Sequence, residues 1–276
     1  MKIIKYLIYT LTPLLFLIMV FLGTKAYNEA IVYEETTTQM VALQTASEQA
    51  KLKLEGWAKS LLRGLYSDDR KIHLDSLIEK KQHAMKEAQK YTLYFMAILL
   101  LLLLLSFMVS LRYLTIVGSL GAMVTLFFGL LTPILMVTIH KEVDYIGDVV
   151  LSFESKGVIG SIEKLFESSD MTVAIVILIF SVVVPIFKIL FLFFSAIFMK
   201  SGFAHKIVLF LKMIGKWSMV DVFVVAVFLV YLTANKGDVS RAEVEVGLYF
   251  FLAYVIVSML VSLSADKMLQ KLKILD

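Results

Sequence analysis

A lysine and an aspartate stand where hydrocarbon or neighbouring helices would surround them. Lys188 lies in Pro185-Ile-Phe-Lys188, inside one long apolar run, and Asp221 lies in Trp217-Ser-Met-Val-Asp221-Val-Phe223, which opens the next. Inserting either charge at the centre of a membrane helix costs about 2.5 to 3.5 kcal/mol, so such residues face a bundle interior or a wet cavity and find a partner. The two are therefore read as a pair in the fourth and fifth of a set of spans, with separate snorkelling of each to the interface as the alternative. A locked pair is architecture alone, whereas one that exchanges partners gates a pathway or carries a proton. Ser218 precedes Asp221 by three residues, and Ser258 and Ser262 lie on the last apolar run. At helical spacing these hydroxyls either join the network or bond carbonyls in their own helices.

Other chemistry is excluded by what the chain lacks. It has no cysteine, which removes disulfides, thiolate zinc sites and cysteine nucleophiles together. His73 and His83 fall in a charged segment, and His140 and His205 at loop edges, none with a second ligand at metal spacing, so no metal is assigned. No phosphate-cradling glycine loop, Gly-x-Ser-x-Gly or His-Glu-x-x-His occurs, so neither an enzymatic activity nor a cofactor is expected. The net charge of +4 belongs mostly to the edges of apolar runs and reads as membrane orientation, not as a nucleic-acid surface.

The elements that must position these residues are membrane helices. Of 276 residues, 59% are hydrophobic, against roughly 45–50% in soluble domains. The expected fold class is all-α, a polytopic membrane protein with six spans. Residues 6 to 23 are read as an uncleaved anchor in preference to a signal peptide, because the apolar run is too long and no small-x-small cleavage site follows. The other spans are placed at 91–111, 115–139, 171–198, 218–234 and 245–264.

Residues 24 to 90 are charged and helix-prone, with glycine only at Gly56 and Gly64, and read as a helical hairpin between the first two spans. Its first arm would reach about 60 Å and its second about 35 Å, so a bend is expected, at Thr36-Thr37-Thr38. Ser67 or Asp68 would cap the second arm. The hairpin either docks a partner or a sister protomer or is a solvated spacer, since Leu52, Leu54, Trp57, Leu61, Leu62 and Leu65 sustain no clean heptads.

Leu111-Arg-Tyr-Leu114 is read as a turn, and Pro133, after Thr132, as a proline tolerated inside the third span. Small residues at 118, 119, 121 and 122 invite close helix approach. Residues 140 to 170 are mildly acidic; glycines at 147, 157 and 160 suggest a loop, followed by a short interfacial helix from Ser161 to Phe166. Pro185 should kink the fourth span or open its hydrogen-bond ladder. Trp217 fits an interfacial anchor. Lysine and arginine collect at the N-terminus, at Arg112, in 199–217 and in the tail, which puts both termini in the cytoplasm and the hairpin outside.

Three segments, Thr132-Pro133-Ile-Leu-Met136, Ser181-Val-Val-Val-Pro185-Ile-Phe-Lys188 and Lys216-Trp217-Ser218-Met219-Val-Asp221-Val-Phe223, resemble the paraquat-inducible protein A family of bacterial inner-membrane proteins. The likeness covers roughly residues 114 to 270, one four-span unit where better-known members carry two. It implies an inner-membrane protein that loads or unloads phospholipid beside a partner with mammalian-cell-entry domains, and it places family positions on Lys188, Ser218 and Asp221. The family's cysteine-rich zinc ribbons have no counterpart here, and residues 1–113 replace them. The expected function is thus a component of envelope lipid transport; the rivals are a non-transporting scaffold or envelope-stress sensor, and a small-ion or drug transporter.

Overall fold

The computed structural model describes residues 2–43, 69–143, 147–168, 170–198 and 240–273. Two long helices form its N-terminal part, α1 (Lys2–Leu43) and α2 (Asp69–Val109). At 1.5 Å per residue each is about 60 Å long, twice the roughly 30 Å hydrocarbon thickness of a bilayer, so each carries a membrane-crossing half and a projecting half. The expected bend at Thr36–Thr38 does not occur, because α1 runs through all three threonines. Their hydroxyls donate to the carbonyls of Val32, Tyr33 and Glu34 at 2.6, 2.7 and 2.9 Å, and Thr36 and Thr37 are buried. Packing there outweighs the low helix propensity of a β-branched run. The candidate caps Ser67 and Asp68, and the apolar positions from Leu52 to Leu65, lie outside the described residues.

One extended residue, Ser110 (φ −172°, ψ 158°), separates α2 from α3 (Leu111–Leu131) and accepts the Tyr113 N–H on its hydroxyl at 3.1 Å. The turn expected at 111–114 is therefore the first turn of a capped helix. α3 also stops earlier than expected. Thr132 is extended (ψ 142°) ahead of Pro133, whose ring disfavours helical backbone in the preceding residue, and the chain leaves as a strand.

That strand, β1 (Leu135–Val143), pairs with β2 (Gly147–Lys156) on one side and β3 (Ser240–Val244) on the other, both antiparallel. Leu135 stands opposite both Lys156 and Val244, and a bulge falls between Ile139 and His140. The glycine loop expected from residue 140 is thus a β-hairpin, and the described part that could cross a membrane is helical while a small sheet sits at one end. A short apolar run after a proline has no periodicity that separates strand from helix, and β3 lies about a hundred residues away. α4 (Val158–Glu167) contains the interfacial helix expected at Ser161–Phe166.

α5 (Met171–Leu178), a π-helical turn (Ile179–Val183) and α6 (Val184–Ile197) make one apolar rod. Pro185 has no N–H to offer the carbonyl four residues back. The ladder opens there as expected, in a wider turn that bonds the Val184 N–H to the Ile179 carbonyl five residues back. α7 (Val246–Lys273) closes the described chain. Among the described residues, five helical stretches are long and apolar enough to cross a membrane: Ile3–Ala42, Asp75–Val109, Leu111–Leu131, Met171–Ile197 and Val246–Met268. The span expected at 218–234 lies outside the described residues.

α3 is the central rod. The Arg112 guanidinium donates to the Ala196 and Ile197 carbonyls at 2.9 and 3.1 Å, so α3 and α6 run antiparallel. α7 is antiparallel to α3 as well: Thr115 and Ser264 hydroxyls lie 3.1 Å apart near one end, and Gly129 abuts the backbone of Phe250 and Phe251 near the other. Gly118 faces Val261 and Gly121 faces Leu99, the close approach read from the small residues. α1 lies alongside, with the Tyr113 hydroxyl donating to Thr12 at 2.8 Å and Gly23 pressed on the Phe128 ring. Phe95, Phe128 and Phe250 pack with centroids 4.9 to 5.9 Å apart, inside one hydrophobic core that draws on α1, α2, α3, α6 and α7. The projecting hairpin is attached too: Ala30, Ala88 and Val246 form one cluster, and Tyr33, Ala84 and Met136 another.

Candidate intramembrane polar site

Lys188 sits in the middle of α6 among apolar neighbours and is 6% exposed. Its ammonium donates to the Ser258 hydroxyl on α7 at 3.3 Å, and that hydroxyl donates to the Val255 carbonyl at 3.0 Å. Ser258 thus meets Lys188 across the helices and bonds a carbonyl of its own helix, three residues back and not the four expected. Ser262, one turn farther on, is half-buried and makes no side-chain hydrogen bond among the described residues. Ser218, Asp221 and Trp217 lie outside the described residues, as does His205. Among the described residues, Lys188 on α6 is joined to Ser258 on α7.

Helical rise gives the depth of the site. Arg112 is level with Ala196; seven residues on along α3 is Ser119, and seven or eight back along antiparallel α6 are Ile189 and Lys188. Both steps are about 10 Å from the Arg112 end, well inside a 30 Å slab. The sheet lies at the opposite end.

Ser195 lies seven residues, two turns of helix, beyond Lys188, Ser181 lies seven residues before it inside the wider turn, and both serines are buried. Sequence reading missed Ser195 and did not weigh Ser181 as a site residue, although seven-residue spacing from a buried lysine is a usable signal. It missed Ser119 as a polar group and took it only as a small residue. Glu245, just before α7, is a further buried charge that the reading passed over.

Pro185, one turn before Lys188, is buried and shapes the rod as described above. Thr132 and Pro133 belong elsewhere: thirteen residues beyond Ser119, they stand about 20 Å away along the axis of α3, at the sheet end. The Gly247 N–H donates to the Pro133 carbonyl at 2.9 Å and the Glu245 N–H to the Ile134 carbonyl at 3.0 Å, so this pair fastens α3 to the start of α7. His73 and His83 are exposed, and no group of residues suited to a metal ion occurs among the described residues.

A helical unit with a hydrogen-bonded lysine at mid-depth can bind an anion or pair with a carboxylate, and it can change partners if the helices move. Compared with known proteins, residues 115–270 match the model of one family, described as paraquat-inducible protein A. No curated protein and no solved structure matches the chain.

Proposed function

Because the chain belongs to the paraquat-inducible protein A family and has several helices able to cross a membrane, we propose that it is the multi-pass inner-membrane component of a bacterial envelope lipid-transport system. In this reading it loads or unloads phospholipid for a partner with mammalian-cell-entry domains, without covalent catalysis. The observation that carries the proposal is Lys188, 6% exposed on an apolar rod and bonded to Ser258. A charge kept at that depth is costly, and such residues mark binding sites and proton pathways. Lys188 neutralises Asp221 in one state, and a phospholipid headgroup or a proton competes for the pair in another.

Six spans with both termini cytoplasmic are part of the same proposal. α6 ends beside Arg112, whereas Ser240 begins a strand in the sheet at the other end. These two described ends stand on opposite faces, as a sixth span between them requires. Lysine and arginine then mark the Arg112 end as cytoplasmic and the sheet as external.

The test is the double substitution Lys188→Met with Asp221→Asn in a strain that depends on this gene for its envelope barrier. Loss of barrier function and of phospholipid co-purified in native mass spectrometry is expected, and full retention of both overturns the reading. The projecting hairpin supports a second reading, a scaffold or stress sensor. Removing residues 30 to 88 separates the two, since a transporter keeps its bound lipid and a sensor loses its whole response.

A further inference from the structure

α3 is enclosed around most of its circumference and open along one strip. Counted at 100° per residue from Arg112, its eleven buried residues fall between about 140° and 360°. Leu120, Met123, Phe127 and Leu131 fall between about 20° and 100° and are 37 to 58% exposed. The strip has a helix on either side. Arg112, at the origin, meets α6, while Tyr113 and Phe128, at about 100° and 160°, meet α1. The result is an apolar trough floored by the central rod and walled by α1 and α6.

The mouth of the trough is basic. Arg112 is exposed, and two of its five N–H groups go to the Ala196 and Ile197 carbonyls, which leaves three without an acceptor among the described residues. Tyr9 and Tyr113 stand beside it with ring centroids 4.9 Å apart, and Lys5 lies one turn before Tyr9 on the same face of α1. No carboxylate answers these charges from the framing helices, since residues 1–28, 91–131 and 171–198 contain neither Asp nor Glu. Asp266, near the height of Arg112, is on α7, across α3 from the trough.

We propose that the trough holds a resident phospholipid of net negative headgroup, from the leaflet at the Arg112 end. Its phosphate takes the free N–H fork of Arg112, in the bidentate geometry that suits a guanidinium, and one acyl chain lies on Leu120 and Met123. The lengths agree: from Arg112 to Met123 the helix rises about 16 Å, and half of a roughly 30 Å slab is about 15 Å. The occupant must be anionic at one end and apolar through one leaflet, which a phospholipid is and a soluble anion or an acidic peptide is not. A zwitterionic headgroup would set its own ammonium against Arg112 and Lys5, so a net negative one is selected. One wall of the site is α1, outside the family-matched residues 115–270. The lipid is therefore a fastener between the N-terminal helices and that unit, not its cargo.

The test is photocrosslinking of the full-length protein in nanodiscs of equal parts phosphatidylethanolamine and phosphatidylglycerol. Benzoylphenylalanine replaces Leu120 in one sample and Met259 in another. Met259 is exposed on α7, and counting from the Thr115–Ser264 contact puts it, like Leu120, about 12 Å from the height of Arg112. The ratio of phosphatidylglycerol to phosphatidylethanolamine adducts should be higher at residue 120 than at residue 259 by about threefold or more, and Arg112→Gln should remove the difference. Equal ratios at the two positions, or a difference that persists in Arg112→Gln, overturn the proposal, as do adducts at residue 120 formed with protein instead of lipid. Should Arg112→Gln not purify as a folded species, the comparison of the two positions decides, because it leaves Arg112 intact. Lys188→Met should not change the ratio at residue 120, so the outcome is independent of the transport reading; loss of the difference in that variant would assign the lipid to the cargo path and overturn the proposal.

Discussion

Ser258 is the residue on which the described half of the polar site turns. It offers the Lys188 ammonium a hydroxyl oxygen while spending its own proton on Val255. Removing that oxygen deprives a buried charge of an acceptor, a penalty of about 1 to 3 kcal/mol. Ser258→Ala should therefore lower the thermal midpoint of the purified protein in detergent, and Ser258→Thr, which keeps the hydroxyl, should restore most of it. Equal midpoints for Ser258→Ala and the unaltered chain would show that the hydrogen bond contributes nothing to the folded state.

The helices are positioned by close approaches at glycines, and the neighbours of each glycine decide what a side chain would cost. A Cβ at Gly247 would meet the Thr132 and Pro133 carbonyl oxygens at 2.4 Å, where the backbone is held by the hydrogen bond from Gly247 itself. At Gly121 it would meet only the end of the Leu99 side chain, at 3.1 Å. Gly247→Ala should accordingly cost more than the 1 to 3 kcal/mol or so typical of overpacking and sharply reduce folded yield, while Gly121→Ala costs less than about 1 kcal/mol. Size-exclusion profiles of the two variants, expressed side by side, check the contrast. The same reasoning explains the early end of α3. Pro133 stops the helix, and its own carbonyl and that of Ile134 accept from the N–H groups of Gly247 and Glu245.

At the scale of the whole molecule, the N-terminal spans and the family-matched unit share one core. Gly23 on α1 leaves no room beside Phe128, since an added Cβ would fall 2.3 Å from the ring, and Phe128 is locked between Phe95 and Phe250. Gly23→Leu should destabilise the entire chain by about 1 to 3 kcal/mol, seen as one cooperative transition shifted downward. If residues 115–270 were merely tethered to the N-terminal helices, their unfolding would be unchanged. The hairpin's contacts with Val246 and Met136 extend this coupling to the sheet end. A force on the hairpin, from a partner or from the envelope, would thus reach the base of α7, the helix that holds Ser258.

The run lengths and hydropathy of the chain determined that it is a membrane protein, and Lys188 stood out because an ionisable residue inside a long apolar run is costly unless it faces protein and finds a partner. Small residues at 118 and 121 likewise announced close helix contacts, and Pro185 announced an opened ladder. Tertiary structure decided the rest. Whether Thr36–Thr38 bend or pass straight and whether residues 135–156 are loop or strand depend on neighbours distant in sequence: the packed faces of α1 for the threonines and β3 for the sheet. Local propensity is worth tenths of a kcal/mol per residue, and such contacts, each worth more, override it.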